Sequence, residues 1–560
     1  MHARLFVLAL ITALITGCTS HPSPEAWDGY VQRFLDDYFR ANPTFAVYQG
    51  KHEYDGQFPD WSAQGIAAQV ARLHREKDSV TAFDTTSLDA ARRLQREYVL
   101  AVIDKDLFWL EEARWPMKNP AFYGDALDPN VYVTRPYAPP ADRMRAFITY
   151  ANNIPAAVKN IRATLGSPMP RPYIDIGKLR FAGMASYLQT DVPQAFAEVK
   201  DAALRAQFDS ARAVAIAAFT EMDTWFDTLR ATETENYAMG PALFKKMLWM
   251  TERVDLPVDS VEAMGRADLA RNRKALEDAC ATYSPGATLV ACMAKMSAHK
   301  PDGNTVDAAR GQLAGLRQFI EEHGVASVPG TEQAEVRESP PYQRWNFAYI
   351  DIPGPYEKGL PSVYYVAPPD PSWSEKDRLA YIPGLNDLLF TSVHEVWPGH
   401  FLQFLHANRS KDVFGRVFVG YAFAEGWAHY AEEMMWEEGL GEGDPEVHIG
   451  QLSNALLRNA RFLSSIGMHA RGMTQAQSEA FFREQGLQEA ATAKQQAARG
   501  TFDPAYLNYT LGKLLIRQLR DDWTRTRGGQ QAWKEFHDLF LSYGGPPIPL
   551  LRVPLMTGTP

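Results

Sequence analysis

The chain has 560 residues, 46% of them hydrophobic and 22% charged, which is the composition of an ordinary globular protein. That length exceeds one small core and implies roughly two to four domains or one large multi-lobed body. A formal net charge of −10 argues against a nucleic-acid partner, because affinity for a phosphate backbone comes mainly from Lys and Arg.

At the N-terminus Arg4 precedes an apolar stretch, residues 5–15. It is shorter than the roughly 20 residues a bilayer span needs and fits a secretory h-region. Small residues then end on a cysteine, Ile15-Thr16-Gly17-Cys18, an arrangement that resembles the bacterial lipobox. Residues 1–17 are therefore expected to be a lipoprotein signal peptide, Cys18 the lipidated residue and 18–26 a tether. The alternative is a plain signal peptide with an incidental cysteine. Several acyl chains on Cys18 anchor stably where one does not, so the expected location is the bacterial cell envelope, facing the periplasm, at the outer membrane. No later segment is long and apolar enough to span.

Apolar residues at three- and four-residue spacings predict helices over 28–40, 62–78, 87–110, 140–165 and 193–229, with two more within 240–281. Pro/Gly/Tyr-rich stretches at 119–139 and 167–173 read as loops. Cys280 and Cys292 form either a disulfide, which export permits, or two buried thiols. Residues 342–352 and 362–367 are aromatic and β-branched and predict strands. Helical periodicity returns at 375–379 and 384–405, then at 418–438, 447–468, 474–483, 488–499 and 505–523. The expected architecture is mainly α: a large multi-helical body with a small sheet just before the motif at 394–400. Its lobes are 27–330, helical, and 331–560, catalytic.

That motif is His394-Glu395-Val396-Trp397-Pro398-Gly399-His400. The zinc-protease signature H-E-x-x-H places two His four apart on one helix face; here they are six apart. At about 100° per residue, six steps turn roughly 240°, so an unbroken helix would point the imidazoles apart. Pro398 has no N–H, and its ring clashes with the carbonyl of His394. Gly399 then permits backbone that other residues avoid. A local break that loops out two residues would bring His400 beside His394.

A hydrolytic zinc site needs three protein ligands and one open position. Glu425, on an apolar helical stretch 25 residues after His400, is the expected third ligand, since a carboxylate there is costly unless paired or metal-bound. Gly426 lets another backbone approach. Glu395 is the expected general base. Candidates for the oxyanion donor are His469, Tyr509, Arg458 and Arg461. Glu432 is either a partner that orients a ligand His or a surface carboxylate. His429 reads as a packed histidine and Glu433, Glu437 and Glu438 as a solvated face. One zinc ion is the expected cofactor, although two imidazoles and a carboxylate also admit Mn, Co or Fe.

These stretches, H-E-x-x-P-G-H-x-L-Q at 394–403 and the later E-G-W-A-x-Y-A-E at 425–432, resemble a large group of bacterial chains, many of them lipoproteins. That group carries a domain of unknown function and is related to gluzincin-type zinc metallopeptidases. Gly50-Lys51-His52-Glu53-Tyr54-Asp55, Asn119-Pro120 with Tyr123, Arg458 to His469 and Asn508 to Arg520 are similar to further elements of the group. The ligand layout also resembles thimet-type oligopeptidases and Taq-type carboxypeptidases, which implies a two-lobed helical body with a deep cleft and a small sheet beside the metal. That resemblance implies ligands His394, His400 and Glu425, base Glu395, and Tyr509 polarising the oxyanion. It also implies that Ser362-Val363-Tyr364-Tyr365-Val366 is an edge strand, with Tyr364 and Tyr365 against the substrate backbone. The chain departs from the group at Phe401, at His429 and at Ser465, where an Asp that would orient His469 is missing.

The function expected is zinc-dependent hydrolysis of short peptides, with Arg458 or Arg461 available to a substrate carboxylate. The rival readings are a zinc amidase on cell-wall peptides and a non-catalytic metal- or peptide-binding lipoprotein.

Overall fold

Most of the apolar residues recur at helical spacing, and the computed structural model is accordingly mainly α with a small sheet. It describes residues 24–340, 343–344 and 346–558. The leader and Cys18 lie outside the described residues.

The helices expected in the first part of the chain form as Pro24–Ala41, Ala63–Thr81, Ala90–Leu107, Pro140–Thr164, Pro241–Glu252 and Val258–Tyr283. The single helix expected over 193–229 is broken. Asp201 accepts from the N–H groups of Ala203 and Leu204 and so starts a new helix, Ala202–Leu229. Residues 167–173, read as a loop, run into a helix at Arg171–Thr190 with proline in its first turn. Two further helices, Leu289–Ala298 and Thr305–His323, lie where no helix was predicted. The second starts on an Asn304 cap and stops at Gly324, which adopts φ 63°. Cys280 and Cys292 are joined as a disulfide.

The sheet has strands β1 (Ala334–Glu338), β2 (Ala348–Asp351) and β3 (Ser362–Val366) in the order β1-β3-β2. β3 pairs parallel with β1 and antiparallel with β2, so it is the central strand and the expectation of an edge strand is corrected. The reason is visible in its residues. Val363 to Val366 are all buried, the run expected of a strand covered on both faces. Tyr364 is fully buried, with its hydroxyl 3.4 Å from Ser392 Oγ, and Tyr365 is buried and stacks on Tyr349. Neither has backbone free for a peptide.

Three apolar clusters make the core, and each draws on residues from both sides of position 330. Across position 330, Gly265 packs against Phe462, where a Cβ would meet the ring at 2.2 Å. Among the described residues no helix is long and apolar enough to cross a membrane.

Candidate metal centre

The unusual spacing in the motif resolves as a break between two helices. Leu385–Glu395 ends, four residues loop out, and His400–Ala407 begins. The Gly399 N–H reaches back to the Val393 carbonyl at 3.0 Å. A Cβ on Gly399 would lie 1.8 Å from the His394 carbonyl oxygen, so only glycine fits. Trp427 donates to the Pro398 carbonyl at 2.8 Å and ties the loop to the next helix. The His394 and His400 rings consequently sit 4.8 Å apart and nearly perpendicular.

Glu425 arrives on the helix Tyr421–Glu437. That helix packs on Asn508–Thr524 through two glycines. A Cβ on Gly426 would meet Gly512 Cα at 2.5 Å, and one on Gly512 would meet the Ala422 carbonyl at 2.0 Å. Glu425 Oε2 lies 3.3 Å from His394 Nε2 and 3.4 Å from His400 Nε2. This oxygen is sealed from solvent and has no hydrogen-bond partner. Burial would raise its carboxyl, but His400 and His394 outweigh that and hold it well below the usual range. His394, His400 and Glu425 offer ligand atoms all within 4.8 Å of one another. A tetrahedral ion at about 2.0–2.1 Å from its ligands separates them by about 3.3–3.4 Å. An N, N, O donor set at that spacing, converging on an unsatisfied carboxylate oxygen, fits one divalent ion.

Behind the ligands, His394 Nδ1 is 2.6 Å from Glu432 Oε1, which leaves Nε2 facing the site. Arg458 Nη2 lies 2.9 Å from the same oxygen. Glu432 is fully buried, so of the two readings it takes the orienting one. His429 is fully buried beside it and does not join the ligand cluster. Burial pushes its imidazole down to about 4, so it is neutral.

Glu395 is half-buried. Loss of solvent pushes its carboxyl up to about 7, with His400 opposing and Glu425 adding. The Ile350 backbone N–H on β2 bears on it. It is therefore β2, at one side of the sheet, that lies next to Glu395.

Tyr509 stacks on His394 with ring centroids 6.3 Å apart and an 18° tilt. The guanidiniums of Arg461, Arg458 and Arg499 lie 4.9, 5.8 and 6.0 Å from its centroid. His469 is not brought here, and its placement as an oxyanion donor is corrected. Its Nε2 contacts the Gly500 carbonyl at 2.7 Å, and its ring packs on Phe244 and Tyr237. Ser465, which stands where the resembling group has an Asp, donates to the Pro504 carbonyl at 2.6 Å and does not orient the ring. Arg458 is likewise held by Glu432 and Asn454 rather than free for substrate. Glu433 belongs to no solvated face, because it is buried against Lys513. Sequence reading missed Arg499 and Ile350, which no local spacing marks.

The profile of a family of bacterial proteins of unknown function (DUF885) matches residues 43–554, and the chain belongs to that family. Two solved structures share the fold. One is "a putative lipoprotein of unknown function from Shewanella oneidensis", 22% identical, with a TM-score of 0.78, covering 94% of this chain and 99% of its own. The other, "the putative lipoprotein from Colwellia psychrerythraea", is 16% identical, with a TM-score of 0.78, covering 95% and 98%. No curated protein matches the chain.

Proposed function

We propose that this protein is a metal-dependent hydrolase of amide bonds in short peptides, related in its ligand layout to gluzincin peptidases, with zinc held by His394, His400 and Glu425. The observation that carries the reading is the sealed, unpartnered Glu425 oxygen set 3.3 and 3.4 Å from two imidazole nitrogens. When bound, a zinc ion lowers the pKa of a coordinated water to about 7 and polarises a carbonyl oxygen.

The chain's own residues supply the rest. Glu395 accepts a proton as water adds to the scissile carbonyl carbon, then delivers it to the leaving nitrogen as the C–N bond breaks. Its raised carboxyl suits both roles near neutral pH. Tyr509, between His394 and the arginines, donates a hydrogen bond to the developing oxyanion. Glu432 and Arg458 hold His394 in the orientation that presents Nε2. Edge backbone of β2, rather than β3, is the place for an extended substrate beside Glu395. The Cys18 sequence, together with the descriptions of the two solved relatives, supports an envelope lipoprotein.

Glu395→Gln tests the reading. The variant should bind zinc as the native protein does and lose about 10²–10⁴-fold in kcat on peptides. Cleavage at the native rate rejects Glu395 as base. A native protein that binds zinc and cleaves no peptide or cell-wall amide is a binding protein. Full zinc content in His400→Ala rejects the looped-helix ligand pair.

A further inference from the structure

Three guanidiniums surround Tyr509, and their partners differ. Arg458 Nη2 is held by Glu432 at 2.9 Å, and its Nη1 donates to Asn454. Arg499 pairs with Asp503 at 2.9 Å and donates to the Tyr421 hydroxyl at 3.1 Å. Arg461 has no acidic partner among the described residues. Its Nε donates to Gln496 Oε1 at 2.8 Å. The charges acting on it are those of Arg499 and Arg458, with the phenols of Tyr509 and Tyr421 alongside. Yet Arg461 is 9% exposed. A guanidinium so buried beside two like charges is costly unless an anion completes it.

Its position says what kind of anion. The guanidinium carbon is 4.9 Å from the Tyr509 centroid, and that ring is 6.3 Å from the His394 ring. Guanidinium and ligand ring therefore lie within about 11 Å, a length of chain that holds at most about three residues at roughly 3.3–3.6 Å each. With Nε engaged, the two terminal nitrogens form a planar fork, which matches the two oxygens of a carboxylate. We propose that Arg461 is a carboxylate subsite: it takes the free C-terminus of a short peptide and sets the scissile bond within about three residues of that end. The inference rests on the hydrolase reading and deepens it. The chain would act as an exopeptidase that removes a short C-terminal unit, the hydrolytic step itself being the addition of water across the C–N bond described above.

The test uses two N-blocked tetrapeptides that differ only in a free or amidated C-terminus, with the zinc-loaded native protein. The free acid should exceed the amide by about 10- to 100-fold in kcat/KM, mostly through KM. Arg461→Gln should bring the ratio close to one and Arg461→Lys should restore part of it. Equal cleavage of acid and amide by the native protein overturns the proposal and leaves the hydrolase reading intact. A second readout needs no turnover. In Glu395→Gln protein the free-acid peptide should raise the melting temperature and the amide should not. If neither peptide is cleaved but this selectivity persists, the hydrolase reading fails and the subsite stands. If sodium chloride or inorganic phosphate alone gives the Arg461-dependent shift and the peptide acid adds nothing, the site holds an inorganic ion and the proposal is overturned.

Discussion

Two charged clusters share the Tyr421–Glu437 helix, one built on Glu433 and one on Glu425, and they are finished to different degrees. In the cluster at Glu433, Lys513 Nζ lies 2.7 Å from Asp268 and 3.1 Å from Glu433, and Arg271 reaches the same two carboxylates at 2.7 and 2.8 Å. Asn459 and Asn272 bond to each other and to Asp268. Burial would raise Glu433, but Lys513 and the arginines outweigh it and pull the carboxyl down to about 2. In the cluster at Glu425, Glu425 Oε2 and His400 Nδ1 are sealed without hydrogen-bond partners, and Arg461 has no acid among the described residues. Both clusters are buried and ionic, so burial of charge alone does not distinguish a site. What distinguishes them is whether a fixed cation completes each carboxylate: Glu433 Oε1 makes no hydrogen bond but is ion-paired with Arg517, whereas Glu425 Oε2 faces only two imidazoles. Where one does, the cluster holds the fold together; where polar groups converge unsatisfied on a common point, a ligand belongs.

That contrast can be broken by mutation. Lys513→Met should cost the most, about 3–5 kcal/mol, because it removes the fully buried cation between Asp268 and Glu433 and leaves Asp268 only the partly exposed Arg271. The check is a chemical denaturation curve alongside zinc titration below the transition, where affinity should stay near native. Glu432→Gln should do the reverse: zinc affinity drops about 10- to 100-fold as His394 loses its orienting carboxylate, measured by competition with a chromophoric chelator. Unchanged affinity would place Glu432 with the structural cluster instead.

The smallest effect concerns a third cluster. His52 stacks on Tyr137 and lies 3.0 Å from Asp55 and 3.3 Å from Glu357. Burial opposes its charge, but the two carboxylates outweigh it and lift the imidazole to about 9. A group whose pKa rises on folding stabilises fully below its unfolded value, about 6.5, and loses that contribution as pH rises through the folded value. The native protein should therefore lose about 1 kcal/mol between pH 6.5 and 9 at this partly exposed site. Melting curves of His52→Gln should lack that slope.

The diffuse elements that resemble the family now have physical roles. His52 and Asp55 anchor the first part of the chain to Glu357, just beyond β2. Asn119 is buried and donates to the Phe502 carbonyl. Asn459 and Lys513 belong to the satisfied cluster. None of these roles was readable in advance, because each depends on a partner far along the chain. The helix at Arg171–Thr190 was hidden by Pro and Tyr that look like a loop but serve a first helical turn. β3 was misplaced because a short apolar run does not say whether its neighbours lie on one side or both.

The sequence by itself determined the helical class, the break at Pro398-Gly399 and the convergence of His394, His400 and Glu425. Each follows from local rules: periodicity, the missing proline N–H, and the cost of a carboxylate on an apolar helix. Only the tertiary structure decided which groups around that centre are already satisfied. Glu432 was claimed by His394 and Arg458, His469 by the Gly500 carbonyl, and Arg461 by no acid among the described residues. Satisfaction of a polar group depends on partners tens to hundreds of residues away, and nothing in local spacing encodes them.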